Sequence, residues 1–148
     1  MKRLLCSVLV MAFVFGMLPI CGNAAEGEVL HFEDGSYAVI QTLNSGTRAA
    51  GSVTGNKTYT YYNSDDVMEW KVVLSGTFTY TGSSSTCTDS SISITISNSA
   101  WYVISQGAGK SGNTANASAT IGKTLLGVTV ARVPVNLTLT CDANGNLS

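Results

Sequence analysis

A chain of 148 residues with eight basic and nine acidic side chains, formal charge −1, has room for about one ordinary domain. That balance leaves no electrostatic footprint for nucleic acid or an anionic membrane. Charged residues make up only 11% of the chain, and beyond the first two dozen residues Ser, Thr, Gly, Asn, Val and Ile dominate, a composition that disfavours helices.

The first segment reads as an address. Lys2 and Arg3 precede an uncharged apolar run at 4–20, Pro19 breaks it, and Gly22 and Ala24 supply small residues at the spacing a signal peptidase uses. The pattern predicts a secretory signal peptide over 1–24. Cys21 is not expected to be a lipidation site, because Ile20 precedes it where lipoprotein signals resemble one another in having Gly, Ala or Ser. Removing the segment leaves six basic and nine acidic residues, a net of −3. No membrane insertion is expected after cleavage.

Residues 26–44 contain Val29, Leu30 and Phe32, then Asp34-Gly35, a strong hairpin signal, and a second apolar stretch. The Gly- and Ser-rich run 45–56 reads as a linker, and Arg48 within it is a candidate trimming point. Two regions are therefore expected: a hairpin with linker over 25–56, and a compact domain over 57–148.

That domain is a succession of period-2 segments. The run 57–63 (KTYTYYN) ends at a turn. In 67–81 the residues Met68, Trp70, Val72, Leu74, Phe78 and Tyr80 share one face, with Glu69 and Lys71 on the other. Cys87 falls in a polar loop at 82–89. Ile92, Ile94 and Ile96 alternate with Ser and Thr, Trp101 opens the next strand, and 107–113 reads as a glycine-rich turn. Ala115, Ala117, Ala119 and Ile121 alternate again, and Val133, Val135, Leu137, Leu139 and Cys141 share a final face. Pro134 belongs on an edge strand or bulge, since it cannot donate a ladder hydrogen bond. Seven or so strands with closely spaced turns predict an all-β, antiparallel two-sheet sandwich. Its architecture is expected to be immunoglobulin-like. Leu139 stands where a tyrosine corner needs Tyr, so a true immunoglobulin domain is not expected.

Only Cys87 and Cys141 remain after signal removal, and an exported chain with two cysteines allows one pairing. A disulfide closing that 54-residue interval is worth ~4 kcal/mol on the chain-entropy model. A close CxxC pair for redox catalysis is absent.

Several spacings imitate chemistry. The stretch 107–111 (GAGKS) ends like a phosphate loop, but Ile104 stands where the leading Gly is required, so a turn is the better reading. In 142–146 (DANGN) oxygen-bearing residues alternate, yet Gly145 falls at the fourth position and not the sixth, and a frayed terminus is expected instead. His31 has no nucleophile identifiable beside it. Asp65, Asp66 and Glu69 cluster around a turn expected to be exposed, without the burial that acid–base catalysis uses. No catalytic set, metal site or cofactor is expected, and the chain is read as non-enzymatic. Aromatic residues are the remaining resource. Tyr59 and Tyr61 share a face, read first as core and second as ligand contacts for a sugar ring.

The segments 57–80, Cys87 and the final LTLTC at 137–141 resemble a loose group of small secreted proteins of Gram-positive gut bacteria. A Thr-Arg-Ala segment like Thr47-Arg48-Ala49 often precedes the domain in that group. The resemblance implies an extracellular or cell-surface location and a β fold, and no mechanism. Together these features predict an exported module binding a glycan or protein, the alternative being a spacer of the cell exterior with no specific ligand.

Overall fold

The computed structural model describes residues 27–44 and 51–148. The expected signal segment and the surroundings of Arg48 lie outside them. All regular structure among the described residues is β. There are eight strands: β1 (Gly27–His31), β2 (Tyr37–Asn44), β3 (Ser52–Tyr62), β4 (Met68–Tyr80), β5 (Ser85–Ile96), β6 (Trp101–Ser111), β7 (Thr114–Leu125) and β8 (Val128–Thr140). They form two antiparallel sheets, β1-β2-β3-β4-β5 and β6-β7-β8, each built from consecutive strands. The likeness to immunoglobulin architecture extends to two packed antiparallel sheets and no further. Immunoglobulin domains join their strands by Greek-key connections, whereas here the described chain passes between sheets at the Ser97–Ala100 connection.

The core follows from alternation on facing strands. β4 contributes Trp70, Val72, Leu74 and Phe78, all essentially inaccessible, and β3 adds Val53, Tyr59 and Tyr61. Opposite them β7 presents Ala115, Ala117, Ala119 and Ile121, and β8 presents Val135, Leu137 and Leu139. Large rings from one sheet thus meet methyl groups from the other, which lets the sheets approach closely. Gly76 marks the tightest point: a Cβ there would lie 2.8 Å from the Phe78 ring and 3.0 Å from Ala115 Cβ. Each large side chain buried in this way stabilises the fold by ~1.5–3 kcal/mol.

The structure departs from the sequence reading at definite places. The boundary at 56/57 falls inside β3, because Ser52–Tyr62 is one strand paired along Tyr37–Asn44, and Ala38 of β2 sits in the core. The glycines at 107 and 109 lie within β6, and the turn comes later, at Gly112-Asn113. The final residues are hydrogen-bonded and not frayed: Thr140 and Ser148 exchange backbone bonds at 3.0 Å, while Asp142 accepts from Asn144 N, Asn146 N and the Asn146 amide. Leu147 then lies across Gly55, where a Cβ would come within 2.1 Å of its Cδ1. Pro134 stands on β8, an edge strand of its sheet, opposite Thr120 of β7.

Candidate functional site

The turns at one end of the sandwich gather the groups with most chemical potential. These are the β1–β2 loop around Asp34-Gly35, the β3–β4 turn, the β5–β6 connection and the β7–β8 hairpin. Between the first and last of them runs a cleft of about 440 Å³, lined by Phe32, Tyr61, Trp101 and Val133 with Glu33, Asp34, Ser36 and Lys123 among its polar members.

The β1–β2 loop is shaped by its own hydrogen bonds. Gly35, at φ 81°, makes a turn that β-carbon-bearing residues resist. Its N–H donates to Phe32 O, and Phe32 N donates to Ser36 O at 2.9 Å. Asp34 accepts from both the backbone N–H and the hydroxyl of Ser36. These bonds, with a smaller attraction from Lys123, hold the Asp34 carboxyl below the usual aspartate range. Ser36 in turn accepts from the Tyr61 hydroxyl at 2.8 Å, so a chain of three polar groups ties the loop to β3. Phe32 remains half-exposed, its ring 5.7 Å from that of Tyr61.

Beneath lies an aromatic stack. Tyr59 and Tyr61 both lie parallel to Trp70, with centroids 5.5 and 5.0 Å away. Trp101 meets Tyr61 and Trp70 edge-on, and Lys123 Nζ sits 5.2 Å above the Trp101 ring, a cation–π arrangement. Tyr59 and Tyr61 are each only 7% exposed. Tyr61 reaches the cleft wall, while Tyr59 serves the core, and burial pushes its hydroxyl pKa up.

Sequence reasoning missed two members, Phe32 and Glu69. Glu69 was expected on the outer face but is 5% exposed. The cause is a bulge: Trp70 pairs with Tyr61 and Met68 with Tyr62, so Glu69 is the extra residue and turns inward. There its carboxylate accepts from Trp101 Nε1 at 2.9 Å and Asn63 Nδ2 at 2.8 Å. Asp65 and Asp66 stay exposed on the turn, and His31 is exposed beside Tyr37. No group of three or more metal-ligating side chains occurs among the described residues.

Cys87 and Cys141 lie at the opposite end. Cys87 belongs to β5 and not to a loop, turned inward by a second bulge opposite Thr77 and Phe78. Its N–H donates to Gly112 O, and Cys141 N–H donates to the adjacent Asn113 O. Both cysteines therefore flank the same β6–β7 turn, and both are buried in the same core. No disulfide joins them in the structure. Cys87 is a thiol 3.2 Å from Asp89 O, and burial pushes its pKa up.

No protein-family model, curated protein or solved structure matches this chain. The site's chemistry alone therefore bears on its use. A half-exposed ring above an aromatic floor, with two carboxylates and an ammonium at the rim, suits a ligand with one apolar face and a polar perimeter.

Proposed function

We propose that this chain is exported and works outside the cytoplasm as a non-enzymatic binding module for a glycan, held in the cleft between Phe32 and Lys123. The observation that carries the reading is the half-exposed Phe32 ring, set over Tyr61 and beside charged groups. A pyranose offers C–H bonds on one face and hydroxyls around its edge, so it can stack on Phe32 while bonding to Asp34, Glu33 and Lys123. The cleft has the size and the mix of apolar walls with few polar groups typical of small-ligand sites. The expected signal segment and the resemblance to secreted Gram-positive proteins support the location. Isothermal titration against soluble β-linked glucose and N-acetylglucosamine oligosaccharides tests the reading. Phe32→Ala and Lys123→Ala should each abolish heat of binding while the circular-dichroism spectrum stays that of the folded protein. No binding by the unaltered protein to any member of the panel would overturn it.

We further infer that Cys87 and Cys141 become a disulfide after export. Each thiol gives up a proton and the pair gives two electrons to an external disulfide, which leaves as two thiols. Support comes from the shared turn that both cysteines flank and from the stability an exported β domain gains by such a bond, ~4 kcal/mol here. Intact mass of secreted protein should be lower by two hydrogens than that of the reduced form. An unchanged mass refutes it.

A further inference from the structure

Asp34 is exposed at the rim of the cleft, but a line of hydrogen bonds ties it to the aromatic core. The Tyr61 hydroxyl donates to Ser36 Oγ at 2.8 Å. A serine hydroxyl has one proton to give, and that proton goes on to Asp34 Oδ1. The line therefore has a single polarity, each O–H pointing toward the carboxylate, and each bond strengthens the next. Ser36 and Tyr61 are 4% and 7% exposed, so water scarcely competes for either hydroxyl. The far end is clamped, because the Tyr61 ring lies parallel to Trp70 and meets Trp101 edge-on.

A second set of bonds closes the loop that carries the carboxylate. Phe32 N donates to Ser36 O and Gly35 N to Phe32 O, which holds the Phe32 ring and Asp34 on one turn. Ser36 N donates to Asp34 Oδ1 as well, at 3.0 Å. Both Ser36 bonds thus fall on the same carboxylate oxygen, and the lone pairs of Oδ2 are left for a ligand. Satisfying the buried Tyr61 hydroxyl would take Ser36 alone; continuing the line to an exposed carboxylate at the cleft rim serves binding. We propose that Tyr61, acting through Ser36, is the positioning residue of this cleft, aiming Asp34 Oδ2 at a hydroxyl of a sugar whose ring face rests on Phe32. The proposal rests on the saccharide reading above and adds the source of its selectivity. An ionised carboxylate oxygen accepts and never donates, so the ligand has to present a hydroxyl donor beside an apolar face. A carboxylate already fixed before binding loses no rotamer freedom when the ligand arrives.

Calorimetric titration of the full chain with the β-linked tetrasaccharides of glucose and of N-acetylglucosamine tests the proposal, together with carboxyl NMR of Asp34. Tyr61→Phe keeps the ring and its stacking and removes only the donor. It should weaken binding about three- to tenfold, the effect of one side chain set free, and shift the Asp34 midpoint up toward the ordinary aspartate range. Asp34→Asn leaves the core untouched, keeps one acceptor for Ser36 and puts an NH2 where Oδ2 stood. It should weaken binding about tenfold or more. A merely structural line of bonds predicts a lower Tm for Tyr61→Phe with affinity and Asp34 midpoint unchanged, and that result overturns the proposal. Asp34→Asn binding as tightly as the unaltered protein overturns it too. The two failures are distinguishable: an unaltered protein that binds neither tetrasaccharide removes the saccharide reading and this proposal with it, whereas full binding by both variants removes this proposal alone.

Discussion

Removing the Glu69 carboxylate should destabilise the fold without disturbing its backbone. The carboxylate accepts one bond from Trp101 and one from Asn63, and bonds to a charged acceptor contribute ~1.5–3 kcal/mol each. Glu69→Ala forfeits both, leaves the buried indole N–H without an acceptor, and opens a small void. Against this stands the recovered cost of burying a carboxylate, several kcal/mol before compensation. The balance is a loss of ~2–4 kcal/mol, since an unmatched buried donor adds to the broken bonds. Glu69→Gln retains one acceptor and turns an NH2 toward the other donor, for a loss of ~2 kcal/mol. Ser97 N and Asn98 N donate to the Glu69 backbone carbonyl, so the β5–β6 connection survives either change. Urea unfolding followed by circular dichroism should show a lower midpoint with an unchanged slope. A double-mutant cycle with Trp101→Phe should return a coupling of ~1–2 kcal/mol. A loss below ~0.5 kcal/mol for Glu69→Ala would refute the reasoning, because desolvation would then cancel both bonds.

Other consequences follow from single positions. Gly76→Ala places a methyl against the Phe78 ring and Ala115 and should cost ~1–3 kcal/mol by overpacking, read from the urea midpoint; an unchanged midpoint would show that the sheets separate freely there. Leu126→Asn relieves a left-handed leucine and should raise stability by ~1 kcal/mol, visible as a higher Tm, and a fall in Tm would contradict the turn assignment. Asp34 and Asp142 both titrate below the usual aspartate range, held by hydrogen bonds from Ser36 and Asn146 respectively. Because the folded pKa lies below the unfolded one, their stabilisation is complete above the ordinary aspartate pKa and fades as pH falls through the depressed value. Carboxyl NMR titration should find both midpoints depressed, and an ordinary midpoint for either would remove its assigned bonds.

The fold was legible wherever one face of a strand is buried throughout. The inward set Trp70, Val72, Leu74 and Phe78, the Ala115–Ala119 alternation, and the Asp34-Gly35 hairpin all follow directly from period two and turn chemistry. What escaped involves an extra residue or a tertiary partner. Glu69 changed sides because a bulge shifts the alternation by one, and Cys87, expected in a loop, lies on β5 beside a second bulge; neither bulge leaves a local signature in the sequence. Glycines 107 and 109 suggested a turn, yet extended glycine is tolerated in an exposed edge strand, and the real turn followed at Gly112. The β7–β8 turn was hidden by Leu126, where a turn residue would have announced it. The closing residues looked loose because Leu147 gains its place only from Gly55, more than ninety positions earlier. Half of the cleft shared that obscurity: Tyr61 stood out, but Phe32 acquires meaning only when Trp101 and Lys123 arrive from the other sheet.

The single described passage between the sheets has a consequence for assembly. Five strands zip up as one uninterrupted ribbon and three as another, so each layer can form from neighbours in sequence before the two meet, and only the docking step requires distant partners. A cut at Asn98-Ser99 would sever that passage while breaking no ladder within either layer. The two fragments are then complementary halves, able to recombine through the seam between ring-rich and methyl-lined faces.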